Sequence, residues 1–162
     1  MDLDTFFVSV ERLMDSRLNG KPILIGGTGD RGVVAACSYE TRKFGVHSAM
    51  PMRMARSLCP EAIIIRGNSA NYSKYSNLVT DVIKEEVPVY EKTSVDEFYV
   101  DLTGMDRFFG NFKFSSELRD RVISETGLPI SFGLSLNKTI TVKTSATRVI
   151  RGSSTPIFAR SI

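Results

Sequence analysis

An α+β fold is predicted from three features of the sequence. Short β-branched or aromatic runs, Ile23-Leu24-Ile25, Ile63-Ile64-Ile65, Phe98-Tyr99-Val100 and Ile130 to Leu134, have the length and composition of strands. Amphipathic stretches at helical spacing lie between them. In order the elements read β-α, a small α/β lobe, then α-ββ-α-β, close to a ferredoxin-like, mainly antiparallel sheet with helices on one face. At 162 residues and 42% hydrophobic composition the chain can bury one core with a small appended lobe.

Met1 to Leu3 forms a short first strand. From Thr5 to Leu18 the residues Phe6, Phe7, Val10, Leu13, Met14 and Leu18 recur at helical spacing, with Asp4 or Thr5 placed to cap the start. Asn19-Gly20-Lys21-Pro22 ends that helix. Ile23 to Ile25 and Val33 to Ser38 read as a hairpin around the loop Gly26 to Gly32. Tyr39, Arg42 and Lys43 then share one face of a helical turn, a small cationic cluster with an aromatic; the alternative is a solvated turn whose Phe44 anchors the lobe. Pro51 suits the first turn of a helix running through Leu58, and Ile63 to Ile65 is the next strand. A long helix from Asn71 to near Pro88 carries Tyr72, Tyr75, Leu78, Val79, Val82 and Ile83 on one stripe. Two strands follow, joined at Val95-Asp96-Glu97. After them come a Phe-rich connection (Phe108, Phe109, Phe112, Phe114), a helix with Leu118 and Val122 one turn apart, and the strand Ile130 to Leu134. Residues 149–162 read as a turn or loose tail around Gly152-Ser153-Ser154-Thr155-Pro156.

The chemistry concentrates where acids enter apolar strands. Asp96 and Glu97 sit at the mouth of Phe98 to Leu102, and Asp2 and Asp4 run into the first helix. Taken alone, the Asp96-Glu97 pair is a solvated acidic turn. Carboxylates from two distant segments converging on one sheet form a site for Mg²⁺, a hard ion that prefers oxygen ligands.

Net charge is +3, which permits a polyanionic partner without requiring one. No run approaches the roughly 18 apolar residues of a membrane span, and the start Met-Asp-Leu-Asp lacks a basic leader, so a cytoplasmic protein without membrane association is expected. Cys37 and Cys59 have neither metal-ligand spacing nor a nearby His, which predicts reduced, partly buried thiols.

Four stretches in order, Asp2-Leu3-Asp4-Thr5-Phe6-Phe7-Val8-Ser9-Val10-Glu11, Ser38 to Val46, Ser94 to Asp101, and Gly133-Leu134-Ser135-Leu136-Asn137-Lys138, resemble the signatures of a Y-family translesion DNA polymerase, DNA polymerase IV (DinB-like) or UmuC-like. The resemblance covers roughly residues 1 to 140. It implies palm segments at 1–10 and 71–148, fingers at 11–70 and a divergent tail at 149–162. It also implies lesion-bypass transfer of a dNTP to the 3′ end of primed DNA, using two Mg²⁺ ions about 4 Å apart. By motif position Asp2, Asp96 and Glu97 are the metal-binding carboxylates and the Leu3 carbonyl is an added ligand. Phe7 falls where the family excludes a 2′-hydroxyl, while Tyr39, Arg42 and Lys138 fall on its triphosphate clamp, a role Arg and Lys suit chemically. Phe6 is read as core, and Asp4 and Asp101 as structural.

The pattern also departs from the family. Only Met1 precedes Asp2, Thr141 to Thr147 is β-branched where the family continues a helix, and no thumb, little-finger domain or clamp-binding tail is recognised. A palm and fingers fragment is therefore expected, feeble or inactive alone, with a sliding clamp as partner only of the full-length protein. Two other readings are a non-catalytic remnant that binds nucleotide or metal, and a nucleotide cyclase-like palm, to which the Tyr39/Arg42 cluster lends no support.

Overall fold

The computed structural model describes residues 1–29, 31–104 and 110–135 and the backbone of Phe158–Arg160. The fold is α+β, and the chain divides into two compact units, Thr5–Tyr72, and Met1–Asp4 with Ser73–Ile162.

In the Thr5–Tyr72 unit a three-stranded sheet has the order β3-β2-β4 (Val34–Cys37, Ile23–Gly26, Ile63–Ile65), with β2 antiparallel to β3 and parallel to β4. A central strand buries both faces, which is why Ile23-Leu24-Ile25 is uniformly apolar. Leu24 packs with Val34, Cys37, Val46, Met50, Met52, Ala55 and Cys59, while Ile23 and Ile25 pack with Val8. The alternation follows from the two-residue period of a strand. At the end of β2 the register shifts between Ile25 and Gly26, and a Cβ at Gly26 would stand 2.2 Å from the Val33 carbonyl oxygen, so only glycine fits. Both cysteines are free and buried.

Helix α1 spans Phe6–Met14, shorter than the predicted 5–18. It stops at Asp15, whose extended backbone (φ −139°, ψ 98°) and carboxylate, accepting from the Arg17 amide at 3.0 Å, open a separate 3-10 turn at Ser16–Leu18. A short acid that bonds nearby backbone competes with helix continuation. The predicted cap is also corrected: Thr5 is the N-cap residue, but it sits in the left-handed region (φ 45°) and its side chain makes no capping bond. The two remaining helices are α2 (Tyr39–Arg42) and α3 (Met52–Leu58), the latter entered through Pro51. Phe44 does not anchor the lobe. It is 47% exposed, because Gly45 (φ 82°) turns the chain and Val46 is the residue that enters the core.

The other unit is built on the first residues of the chain. β1 (Asp2–Leu3) pairs antiparallel with β7 (Ile130–Ser131), and a further sheet has the order β5-β6-β9-β8 (Tyr90–Lys92, Phe98–Asp101, Phe158–Arg160, Gly133–Ser135), all antiparallel. Two sequence readings change here. Ile130 to Leu134 is two short strands interrupted at Phe132, each pairing with a different partner. Part of the predicted loose tail, Phe158–Arg160, is a strand between β6 and β8. Helix α4 (Ser69–Glu86) carries the division between the units and buries Val79, Val82 and Ile83, but Leu78 is exposed, off the predicted stripe. Helix α5 (Asn111–Thr126) buries Phe114, Leu118 and Val122. Phe112 and Phe114 thus belong to a helix rather than a connection, because Gly110 starts it before them. Phe108 and Phe109 lie outside the described residues.

Candidate active site

The two acidic segments meet because the stretch from Met1 to Leu3 is held on both sides. On one it pairs with Ile130–Ser131; on the other Asp2 forms an antiparallel bridge with Glu97. The Leu3 amide donates to the Asp96 carbonyl at 2.9 Å, the Phe98 amide donates to the Met1 carbonyl at 2.8 Å, and the Met1 nitrogen donates to the Phe98 carbonyl at 2.7 Å. Segments almost a hundred residues apart in sequence are thereby fixed backbone to backbone. The Leu3 side chain is buried and anchors the strand beneath.

The turn that carries Asp96 and Glu97 is organised by small hydroxyls. Ser94 Oγ accepts from the amides of Asp96 (3.3 Å) and Glu97 (3.1 Å) and hydrogen-bonds the Asp96 carboxylate at 2.5 Å. Ser76 of α4 donates its hydroxyl to the Val95 carbonyl, and Thr93 Oγ1 lies 3.4 Å from the Glu97 carboxylate. Burial, then the charges of Asp96 and Glu97, push the Asp2 carboxyl from its ordinary 3.8 up to about 6. Asp4 and Asp101 bond hydroxyl residues: Asp4 accepts from Ser131 Oγ at 2.7 Å, and Asp101 accepts from the amide and hydroxyl of Thr103 at 2.9 and 2.6 Å.

Among the described residues no group of three or more His, Cys, Asp or Glu is already arranged to hold a metal ion. The donor chemistry at the bridge still suits a hard divalent cation. The charges of Asp96 and Glu97 add to the cost of ionising Asp2, and a cation beside them would relieve it.

The shift of Asp2 has a measurable sign. A raised carboxyl pKa means the folded state holds the proton more tightly than the unfolded chain between about 4 and 6. Asp2 therefore favours the fold at low pH, and that contribution is lost as pH rises through this window and stays lost above it. Urea unfolding of the parent and of Asp2→Asn between pH 4 and 7 is expected to show the parent losing stability relative to the variant as pH rises. A constant difference would mean Asp2 is not perturbed.

The Thr5–Tyr72 unit carries the cationic and aromatic candidates. Ser38, fully buried, caps α2 by accepting from the Thr41 amide at 3.4 Å and ties it to β2 by accepting from the Ile23 amide at 3.0 Å. Arg12 of α1 holds the same helix through Glu40 at 2.9 Å. Burial opposes the Glu40 charge, but hydrogen bonds from its backbone and Ser38 and the Arg12 guanidinium outweigh it and lower its pKa. On this braced turn Tyr39 and Arg42 project into solvent, the Arg42 Cζ 5.0 Å from the Tyr39 ring centroid. Lys138, the third predicted clamp residue, lies outside the described residues.

Phe6 is buried, as its core reading requires. Phe7 is half-buried and lines a cavity of about 310 Å³ with Ile25, Gly26, Gly27, Ala35, Arg66 and Tyr72 among its walls. Its ring stacks on Tyr72 at 4.3 Å between centroids. Tyr72 in turn donates its hydroxyl to the Glu11 carboxylate at 2.7 Å, both residues being buried. The sequence reading had Tyr72 only as an apolar stripe residue and gave Glu11 no role. One signal was present: Glu11 stands four residues after Phe7 and so shares the apolar face of α1, where a carboxylate needs a partner.

A mixed fold with paired acids at a strand bridge and a braced Tyr/Arg turn defines a class, and residues 1–142 match the impB/mucB/samB family, to which this chain belongs. Curated relatives are named DNA polymerase IV. The chain is 47% identical over 141 residues to the DNA polymerase IV of Treponema denticola, covering 86% of this chain and 36% of that one. It is 43% identical over 142 residues to that of Listeria monocytogenes, covering 86% and 40%. Solved structures agree: DinB from Sulfolobus solfataricus superposes with a TM-score of 0.80 at 28% identity over 87% of this chain and 42% of that one. An insertion ternary complex of Dbh DNA polymerase gives 0.79 at 27% identity, covering 87% and 43%. The Y-family resemblance carried by the four motifs therefore holds. The chain spans well under half the length of these relatives.

Proposed function

We propose that this chain supplies the nucleotidyl-transfer centre of a template-directed DNA polymerase of the lesion-bypass class. The observation that carries the reading is the bridge between Asp2 and Glu97, which gathers the first strand and the acidic turn although nothing in their local sequence requires them to meet. Asp2, Asp96 and Glu97 hold divalent metal, two Mg²⁺ ions in this reading, with the Leu3 carbonyl as a further ligand. The metal, when bound, supplies charge stabilisation for the attacking 3′ oxygen and the departing pyrophosphate. Tyr39, Arg42 and Lys138 bind the triphosphate, Arg42 through its forked N–H groups. Phe7 lies beneath the sugar and rejects a 2′-hydroxyl. Primed DNA and a dNTP are the substrates, a sliding clamp is a partner of a longer protein only, and the location is cytoplasmic. Among the described residues no helix is long and apolar enough to cross a membrane.

DNA affinity is chiefly a sum of phosphate contacts spread along the duplex, and a chain with net charge +3 has few to offer. Mg²⁺-dependent addition of single nucleotides to a primed template is therefore expected at low ionic strength with protein in excess, fading as salt approaches physiological levels. Mg²⁺-dependent dNTP binding without any extension at low salt would favour a non-catalytic nucleotide-binding protein. A cyclic nucleotide formed without DNA would replace the polymerase reading altogether.

A further inference from the structure

The Tyr72 ring is held on three sides, all within the Thr5–Tyr72 unit. One face stacks on Phe7. Gly67 packs so closely that an added Cβ would lie 3.2 Å from both the ring and the hydroxyl of Tyr72. The hydroxyl ends on the Glu11 carboxylate at 2.7 Å. Of these restraints only the last is directional, because stacking and van der Waals contact let a ring slide while a charge-assisted hydrogen bond fixes its tip. Glu11 is 9% exposed, and its one side-chain hydrogen bond among the described residues is to Tyr72. A carboxylate kept there at a desolvation cost is tied to the one group it bonds, the Tyr72 hydroxyl.

We propose that Glu11 is a positioning residue that fixes the Tyr72 hydroxyl, so that the Tyr72 ring backs Phe7 and sets how strictly the adjoining cavity rejects a 2′-hydroxyl. The inference rests on the nucleotide reading of Phe7 given above. Glu11 touches no substrate in this scheme. Its carboxylate acts through Tyr72, and Tyr72 acts through Phe7. Burial, then the bond to Glu11, hold the Tyr72 hydroxyl above its ordinary pKa, so it remains a donor across the physiological range.

The test titrates the full chain with dATP and with ATP, each with Mg²⁺, by calorimetry, and follows unfolding of every variant alongside. The parent is expected to bind ATP roughly a hundredfold more weakly than dATP, the discrimination a shaped apolar wall gives against one hydroxyl. Tyr72→Phe, which keeps the ring and deletes only the oxygen, and Glu11→Leu are each expected to shrink that ratio about tenfold through a loosened Phe7. Glu11→Gln retains an acceptor and should hold the ratio within about twofold of the parent. The double variant Glu11→Leu/Tyr72→Phe should discriminate no worse than either single, since both remove one bond. Variants that lose stability but keep the parent's ratio would reduce Glu11 to a structural residue and overturn the inference. A parent that binds neither nucleotide, or both equally, would overturn the nucleotide reading or the Phe7 assignment first, and this inference with it.

Discussion

Asp96→Asn is expected to lower single-nucleotide addition about a thousandfold while leaving the fold intact. The side chain is only partly buried, and its bond with Ser94 can be made by an amide oxygen, so the change in stability should stay within about 0.5 kcal/mol. What the variant loses is charge. In the proposed site Asp96 is one of three carboxylates facing the metal, and metal-ion stabilisation contributes several kcal/mol to such a transfer. A loss of about 4 kcal/mol of transition-state stabilisation corresponds to that thousandfold. Single-turnover extension at low salt across a Mg²⁺ titration is the measurement. A rate within about threefold of the parent, with unchanged Mg²⁺ dependence, would remove Asp96 from the site. The same substitution should bring the Asp2 carboxyl down toward its ordinary range, because one of the charges that pushes it up is gone.

Phe98→Ala is expected to cost about 3–5 kcal/mol of folding free energy. Phe98 is completely buried and is the largest fully buried side chain among the described residues; Lys92, its cross-strand partner, places its ammonium 5.5 Å from the ring centroid. Against a total stability of about 5–15 kcal/mol for a domain, that loss is enough to leave much of the population unfolded at moderate temperature. Because Phe98 follows Glu97 directly and its backbone is paired with Met1, the same variant should also loosen the acidic turn from the first strand. Phe98→Leu, which keeps most of the volume, should cost less than about 1.5 kcal/mol. Urea denaturation separates the two, and a Phe98→Ala loss under about 1 kcal/mol would show that the surrounding core collapses to fill the space.

Several parts of this fold were legible because their causes are local. The strands Ile23–Gly26 and Ile63–Ile65 follow from consecutive apolar and β-branched residues, and α5 follows from Leu118 and Val122 one turn apart. The hairpin around Asp96 and Glu97 follows from a polar turn between two strand-forming runs. The order of the four motifs was enough to indicate the family. Misreadings arose where two local tendencies competed. Asp15 has a side chain that captures a nearby amide, so α1 ends one turn before its hydrophobic period does. Phe44 and Val46 flank Gly45, and the left-handed turn at that glycine decides which of the two enters the core.

What the sequence by itself determined is the identity and spacing of the chemical groups: adjacent acids on one turn, an acid at the first strand, and Tyr39 with Arg42 on one helical face. What only the tertiary structure decided is which distant groups touch. Asp2 meets Glu97, Glu11 reaches Tyr72, Ile130 to Leu134 divides between two partners, and Phe158–Arg160 enters a sheet beside β6. The physical reason is that propensity and side-chain period act over a few residues. Pairing between remote segments is settled by burial and backbone hydrogen bonding summed over the whole chain, against a loop-closure cost that grows only slowly with separation.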